Sequence, residues 1–133
     1  MVGAGEIKPQ EPIDINDRAI QTRLHADGIA WFDFEALCET SRSTDDYIEL
    51  ARCHHTVLLG NVPVMDDMTN DAVRRFINMI DEFYDRSVKL VVTAEARPES
   101  LYSGTRLEFE FDRTVSRLSE MQSSEYLASP HLM

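Results

Sequence analysis

Apolar residues recur at helical spacing through the middle of the chain, between two short apolar runs at 56–59 and 88–92. Intervals of three and four residues place these side chains on one face of an amphipathic helix. A connection this long favours parallel pairing of the strands that it joins. Residues 55–94 are therefore predicted to form a βαβ unit, whose helix would bury Val73, Phe76, Ile77, Ile80 and Phe83 or Tyr84.

The pattern before this unit indicates antiparallel strands. Two apolar segments, 13–15 and 19–24, flank Asn16-Asp17, a pair suited to a tight turn with positive φ. An N-terminal β-hairpin is predicted there. Asp27-Gly28 is a second turn signal and leads into a strand at 29–34. Residues 1–12 contain glycine and proline without periodicity, which predicts a flexible arm.

The remaining segments are mostly helical. Short helices are predicted at 34–38 and at 45–53, the second capped by Thr44. Apolar residues alternate with acids at 107–111, which favours a short strand or extended piece, and 113–126 reads as a helix. The last residues, 129–133, are predicted to be frayed. The fold class is then α/β: a single domain at 13–128 with a small, mostly parallel sheet, packed helices and an N-terminal β-hairpin.

Composition narrows the range of functions. The 133 residues carry a formal charge of −11, so direct binding to nucleic acid is not expected, because an acidic surface repels phosphates. No apolar run approaches the ~20 residues of a transmembrane helix. The two cysteines, Cys38 and Cys53, do not form a paired motif, which fits a reduced, cytoplasmic protein.

Common catalytic and metal-binding patterns are missing from the sequence. His54 and His55 are adjacent and would point apart at a helix end, whereas a zinc site needs two paired ligand clusters. There is no GxSxG nucleophile elbow. We therefore expect no catalytic residue and no metal site within this chain.

Nucleotide chemistry is only partly indicated. The sequence contains neither GxxxxGKS/T nor GxGxxG, so it has no phosphate loop of its own. Two acids after one strand, Asp66 and Asp67, and a hydroxyl at the end of the next, Thr93, follow the order that P-loop ATPases use for magnesium binding and phosphate sensing. The acids lie beyond Pro63 rather than on the strand end. We favour the interpretation that they initiate the following helix.

Two arginines are the candidate nucleotide-sensing residues. Arg113 and Arg117 are four residues apart on a predicted helix, so they share a face. In an oligomeric ATPase such guanidinium groups could meet a γ-phosphate bound by a neighbouring subunit or partner domain. The alternative is pairing within the chain, with Glu110, Asp112 or Glu120 close in sequence.

Several stretches together resemble one protein family. They read WFDFEALC at 31–38, DYIELA at 46–51, RRFINMIDEFYD at 74–85 and FEFDRTVSRLSEMQS at 109–123. In this order and spacing they resemble the C-terminal part of the ZapE-type ATPases, the bacterial cell-division relatives of the mitochondrial lactation-elevated ATPase. The resemblance covers residues 29–128.

The resemblance implies an AAA+-like P-loop ATPase whose Walker motifs lie in an N-terminal part outside this chain. The full protein would bind ATP and Mg²⁺ and would form a homo-oligomer, with this domain contacting its own N-terminal ATPase part, neighbouring subunits or a protein client. It would act in the bacterial cytoplasm or peripherally at the inner membrane. A phosphate-sensing role for Arg113 and Arg117 is a hypothesis that the resemblance does not supply.

Two other interpretations remain open at this point. The chain could be a free-standing acidic adaptor that holds a protein partner at its sheet edge or at the 98–104 loop, without enzymatic activity. It could also be a small metal-dependent enzyme using His54, His55, Asp66 and Asp67. A phosphate loop upstream in the natural reading frame would favour the ATPase, and metal in the purified protein would favour the enzyme.

Overall fold

A computed structural model describes residues 7–132 and shows a mixed α/β fold. A five-stranded sheet has the order β1-β4-β5-β6-β7, and β2 and β3 form a separate hairpin. The three strands β5, β6 and β7 are parallel, and β4 pairs antiparallel with both β1 and β5. The strands are β1 Lys8–Pro9, β2 Ile13–Ile15, β3 Arg18–Ile20, β4 Leu24–Ala26, β5 Ile29–Asp33, β6 Thr56–Val62 and β7 Lys89–Ala94.

Helices fill the two connections between the parallel strands and also follow β7. Two short 3-10 turns, Asp67–Thr69 and Pro98–Ser100, precede α3 and follow β7. The α-helices are α1 Phe34–Cys38, α2 Thr44–Cys53, α3 Asn70–Asp85, α4 Glu108–Glu120 and α5 Ser124–Ala128. The predicted fold class, a small and mostly parallel sheet with packed helices and an N-terminal β-hairpin, is confirmed.

The predicted βαβ unit is β6, α3 and β7. The two strands pair in parallel with Val57 opposite Leu90, and the predicted apolar face of α3 is buried. Phe83 is the fully buried member of the pair left open by the sequence, and Tyr84 is only partly buried. A second parallel crossover, from β5 through α1 and α2 to β6, was not predicted as such.

The predicted hairpin is also present, and it is docked on α2. Its turn residues Asn16 and Asp17 have φ angles of 52° and 65°. Asn16 donates to the carbonyl of Asp45 at 3.1 Å and Arg18 to the carboxylate of Asp46 at 3.3 Å. The second predicted segment, 19–24, is divided between β3 and β4, so the hairpin is shorter than predicted.

Helix α2 is capped one residue earlier than predicted. Ser43, not Thr44, is the N-cap, and it forms a capping box with Asp46. The Ser43 amide donates to the Asp46 carboxylate at 3.0 Å. Burial alone would raise the pKa of Asp46, but this bond, together with Asn16 and two arginines, outweighs burial and lowers the pKa. The carboxylate therefore stays charged and holds the hairpin to the helix.

The segment 107–111 is not a strand. Helix α4 begins at Glu108, with Leu107 as its N-cap. Leu107 and Phe111 are buried and Phe109 is 85% exposed. The alternation has a helical explanation, because residues four apart share a helix face while the one between them points away. The predicted helix at 113–126 is interrupted after Glu120, and Ser123 caps α5 by accepting from the Tyr126 amide at 3.2 Å.

Both ends of the chain contact the rest of the domain where the structure describes them. Lys8 and Pro9 pair with β4, and residues 1–6 of the predicted arm lie outside the described residues. In the tail, the Ser129 carbonyl accepts from Lys89 Nζ at 2.6 Å and the Leu132 amide donates to the Arg86 carbonyl at 3.0 Å. Residues 129–132 thus contact the domain through Lys89 and Arg86, and the predicted fraying of this tail stays a prediction.

Candidate functional site

Arg113 and Arg117 both lie on the face of α4 that meets α3. Arg113 Nη2 is 3.3 Å from Asp81 Oδ2, and Arg117 Nη1 bonds Asp81 Oδ1. The two guanidinium groups thus share one carboxylate from the neighbouring helix. Pairing within the chain does occur, but the partner is Asp81 and not one of the acids close in sequence. The side chain of Arg113 is 52% exposed and that of Arg117 is 27% exposed.

Tyr84 extends this cluster along the seam between α3 and α4. The Arg117 guanidinium carbon lies 5.0 Å from the centre of the Tyr84 ring, a cation–π arrangement. The Tyr84 hydroxyl donates to Glu120 at 2.7 Å, and the Glu120 carboxylate raises the pKa of this tyrosine. Arg117 is thereby fixed on two sides, whereas Arg113 keeps half of its surface in solvent.

Asp66 and Asp67 have structural roles at the start of the helical segment before α3. Asp66 caps the 3-10 turn by accepting from the Met68 amide at 2.8 Å. Asp67 accepts from the amides of Thr105 and Arg106 at 3.0 and 3.1 Å. These amides, with added bonds from side chains that include Tyr102, hold the pKa of Asp67 far below its usual range. Its carboxylate therefore stays charged and fixes the loop after Tyr102.

Thr93 lies in a polar network at the carboxyl ends of the three parallel strands. Its hydroxyl accepts from the Asn61 amide at 3.0 Å, and the Asn61 side chain donates to Asp33 at 3.1 Å. Arg23 Nε reaches both oxygens of Asp33, at 3.0 and 3.1 Å. The sequence did not identify Asp33, Asn61 or Arg23. Their position in the predicted strands could have identified them, since polar residues at the carboxyl ends of adjacent parallel strands meet at one edge of the sheet.

The four histidines of the chain lie near the opposite, amino end of the sheet. His54 is buried, its Nδ1 lies 2.9 Å from the Leu50 carbonyl, and burial lowers its pKa. The His55 and His131 rings are 6.5 Å apart, and His25 also lies close enough to lower the pKa of His54. Within residues 7–132, no set of three or more His, Cys, Asp or Glu side chains is arranged to hold a metal ion.

Stability should fall as the pH drops below about 6.5, the ordinary pKa of histidine. Because the folded state lowers the pKa of His54, the unfolded chain binds more protons in this range, so acid favours unfolding. One such group contributes a slope of at most about 1.4 kcal/mol per pH unit. Urea unfolding of the chain and of His54→Leu between pH 5 and 8.5 measures it.

The His54→Leu chain should show a shallower dependence of its unfolding free energy on pH below 6.5. Above pH 8 the two proteins should differ only by a constant, since neutral His54 then contributes no pH dependence. Equal slopes in the two proteins below pH 6.5 would show that His54 does not govern the acid sensitivity.

Membrane insertion has no candidate segment among the described helices, since each is too short or too polar to cross a bilayer. The three acidic clusters described above are internally satisfied: Asp81 pairs with two arginines, Asp67 with a loop, and Asp33 with Arg23 and Asn61. The half-exposed guanidinium of Arg113 is the one among the predicted site residues that is best placed to meet an external anion.

Comparison with known proteins gives a consistent set of matches. The chain is 45% identical over 131 residues to the cell division protein ZapE of Escherichia coli K12, covering 98% of this chain and 35% of that protein. It is 30% identical over 149 aligned positions to lactation elevated protein 1 homolog B of Danio rerio, covering 88% of this chain and 30% of that protein. The chain thus spans about a third of the length of these relatives. No solved structure gives a significant match.

The family model for the AFG1-like ATPases matches residues 1–130, nearly the whole chain. The motifs that carried the resemblance at 31–38, 74–85 and 109–123 all lie within this range, on β5 and α1, on α3, and on α4. The chain therefore belongs to the AFG1-like ATPase family.

Proposed function

We propose that this chain is the C-terminal domain of a larger AAA+-like ATPase. The proposal rests on the family match over residues 1–130 of a sequence that contains no phosphate loop and spans about a third of its relatives. ATP and Mg²⁺ would bind Walker motifs in the part of the protein outside this chain. The domain would complete the enzyme through contacts with that part, with neighbouring subunits or with a protein client.

The cellular setting in this proposal comes from the bacterial relative, which is named as a cell division protein. We extend that role to the present chain and place the intact protein in the bacterial cytoplasm, where it would work as a homo-oligomer. The net charge of −11 supports a protein partner over a nucleic acid.

Arg113 and Arg117 are the residues through which this domain would sense bound nucleotide. Arg113 reaches Asp81 with a single 3.3 Å contact and is half-exposed, so it can turn toward an anion at little cost. Arg117 is held by Asp81 and Tyr84 and would keep the shared carboxylate occupied while Arg113 turns. Arg113 is thus the better candidate for direct contact with a γ-phosphate across a subunit boundary.

The test is ATP turnover by the longer protein that contains this domain. Arg113→Ala should lower kcat on the order of a thousandfold if its guanidinium meets the transferred phosphate. Asp81→Asn removes the same ion pairs but leaves both guanidinium groups, so its kcat should stay close to that of the parent. Arg52→Ala is the matched control, because Arg52 is 57% exposed on α2 and its one ion pair within residues 7–132 is with Glu49.

The variants separate sensing from structure. If Asp81→Asn loses as much turnover as Arg113→Ala, the ion pair between α3 and α4 is what matters and the sensing role is wrong. If the longer protein does not hydrolyse ATP at all, or if this chain alone binds ATP tightly in equilibrium dialysis, the proposed function itself is contradicted.

A further inference from the structure

One face of the five-stranded sheet carries the helices. Strands β5, β6 and β7 are neighbours in sequence order, and right-handed crossovers that step in the same direction place their helices on the same face. Helix α3 accordingly packs against α1, α2 and α4. Side chains on this face, such as Phe32 and Leu59, are 0% and 1% exposed.

The other face carries a row of apolar side chains in register. Leu24 on β4 pairs with Trp31 on β5, Trp31 with Leu58 on β6, and Leu58 with Val91 on β7. Cross-strand partners point to the same side of a sheet, so the four side chains form one band across four strands. Leu24, Trp31 and Leu58 are partly exposed, and Val91 at the sheet edge is 55% exposed. We call this band the open-face row.

Trp31 occupies the centre of the open-face row. A Cβ atom on Gly60 would be only 3.2 Å from the Trp31 indole nitrogen, so the glycine leaves room for the ring against the sheet. The Arg23 guanidinium carbon lies over the indole ring, 5.9 Å from its centre. Tryptophan and arginine are the residue types most often found at the energetic centre of protein interfaces.

Polar residues border the row at both ends of the strands. At the carboxyl end lies the network of Asp33, Asn61 and Thr93, and at the amino end Thr56 pairs with Lys89 in register. An apolar centre with a polar rim is the usual anatomy of a protein–protein interface. The open face is therefore organised like a contact surface and not like an ordinary solvated sheet.

We propose that the open-face row is covered, in the intact protein, by an amphipathic helix from the part of the same polypeptide that lies outside this chain. This inference rests on the proposed function, which places the domain in a longer protein. Sheets of parallel strands occur almost only with both faces covered, and the parallel part of this sheet, β5 to β7, has helices on a single face within residues 7–132. About two thirds of the length of the relatives lies beyond the region matched here, which is ample for a second layer.

A second copy of this domain is a less suitable cover. Each domain carries a formal charge of −11, so two copies brought face to face repel each other. A helix from the same polypeptide is also present at a high effective concentration, because it is covalently linked to the domain.

Cysteine labelling of the longer protein tests the proposal. Val91→Cys places a thiol of similar size at the exposed edge of the row, and Phe109→Cys places one on the outer face of α4, where Phe109 is 85% exposed. For each variant, the protection factor is the labelling rate in urea divided by the labelling rate of the native protein. We expect protection of at least about tenfold at position 91, where a covering helix must open before the reagent enters, and almost none at position 109.

Three results would overturn the inference. In the first, position 91 labels as fast as position 109. In the second, the protection disappears on dilution together with a dimer detected by sedimentation, which identifies a second copy as the cover. If a helix covers the row, Trp31 in the unmodified protein must also be oxidised slowly. The third contrary result is therefore fast oxidation of Trp31 in a protein whose position 91 is protected. The labelling is done without nucleotide, so its result does not depend on ATP hydrolysis. A longer protein that hydrolyses ATP but labels freely at position 91 would refute the covering helix and leave the proposed function standing.

Discussion

Replacing Phe76 by alanine should lower the free energy of unfolding by about 3–5 kcal/mol. Phe76 is fully buried on α3. Its ring centre lies 5.9 Å from that of Phe34 on α1 and 6.1 Å from that of Phe111 on α4. The side chain thus joins three helices, and its removal leaves a cavity that three separate elements would have to move to fill. Urea unfolding followed by circular dichroism measures the change.

Phe109→Ala is the matched control for this prediction. Phe109 is also a phenylalanine and lies on α4, which packs against α3, but it is 85% exposed. Its replacement by alanine should therefore change the unfolding free energy by less than about 0.5 kcal/mol. A loss below about 2 kcal/mol for Phe76→Ala would mean that the helices close around the missing ring, and the tight packing described for α1, α3 and α4 would be wrong.

Replacing Tyr126 by alanine should cost about 3–5 kcal/mol, although this residue lies only seven positions from the end of the chain. Its buried hydroxyl bonds the carbonyls of Val88 at 2.7 Å and Phe83 at 3.1 Å. Its ring stacks on Tyr84 with the centres 5.9 Å apart. Burial raises the pKa of the Tyr126 phenol, so the hydroxyl keeps the proton that it shares with these carbonyls.

Two further variants divide the effect of Tyr126. Tyr126→Phe keeps the ring and removes the hydroxyl. It should lower the free energy of unfolding by about 1–3 kcal/mol, because the two carbonyls lose that donor. Leu127→Ala is the neighbouring control, since Leu127 is 53% exposed and should be nearly neutral. If Tyr126→Ala proves as mild as Leu127→Ala in thermal and urea unfolding, α5 does not anchor the end of the domain.

Hydrophobic spacing predicted the parts of the fold that depend on one continuous segment. The apolar face of α3 and the flanking strands were evident because their periodicity extends over a long window. Short patterns were less informative: Leu107, Phe109 and Phe111 fit both a strand and the first turn of a helix. Only the burial of Leu107 and Phe111 against the core decides between them, and that is a tertiary property.

The candidate site could be predicted less well, because its geometry joins distant segments. The spacing of Arg113 and Arg117 correctly placed them on one helix face. Their shared partner, Asp81, is 32 and 36 residues away in sequence, and only the packing of α4 on α3 brings it near. For the same reason, Asp67 could be read as a loop acid but not as the acceptor for the amides of Thr105 and Arg106.

The order of the parallel strands also bears on how the chain folds. Strands β5, β6 and β7 lie in the sheet in the sequence in which they are synthesised, so each can add to an edge that the preceding strand has already formed. The parallel partners are nevertheless distant in sequence, since Ile29 pairs with Thr56 and Thr56 with Lys89, and closing such long connections slows folding. We expect the hairpin of β4 and β5 to provide the first edge and β7 to be the last of these strands to join, an order that matches synthesis from the N-terminus.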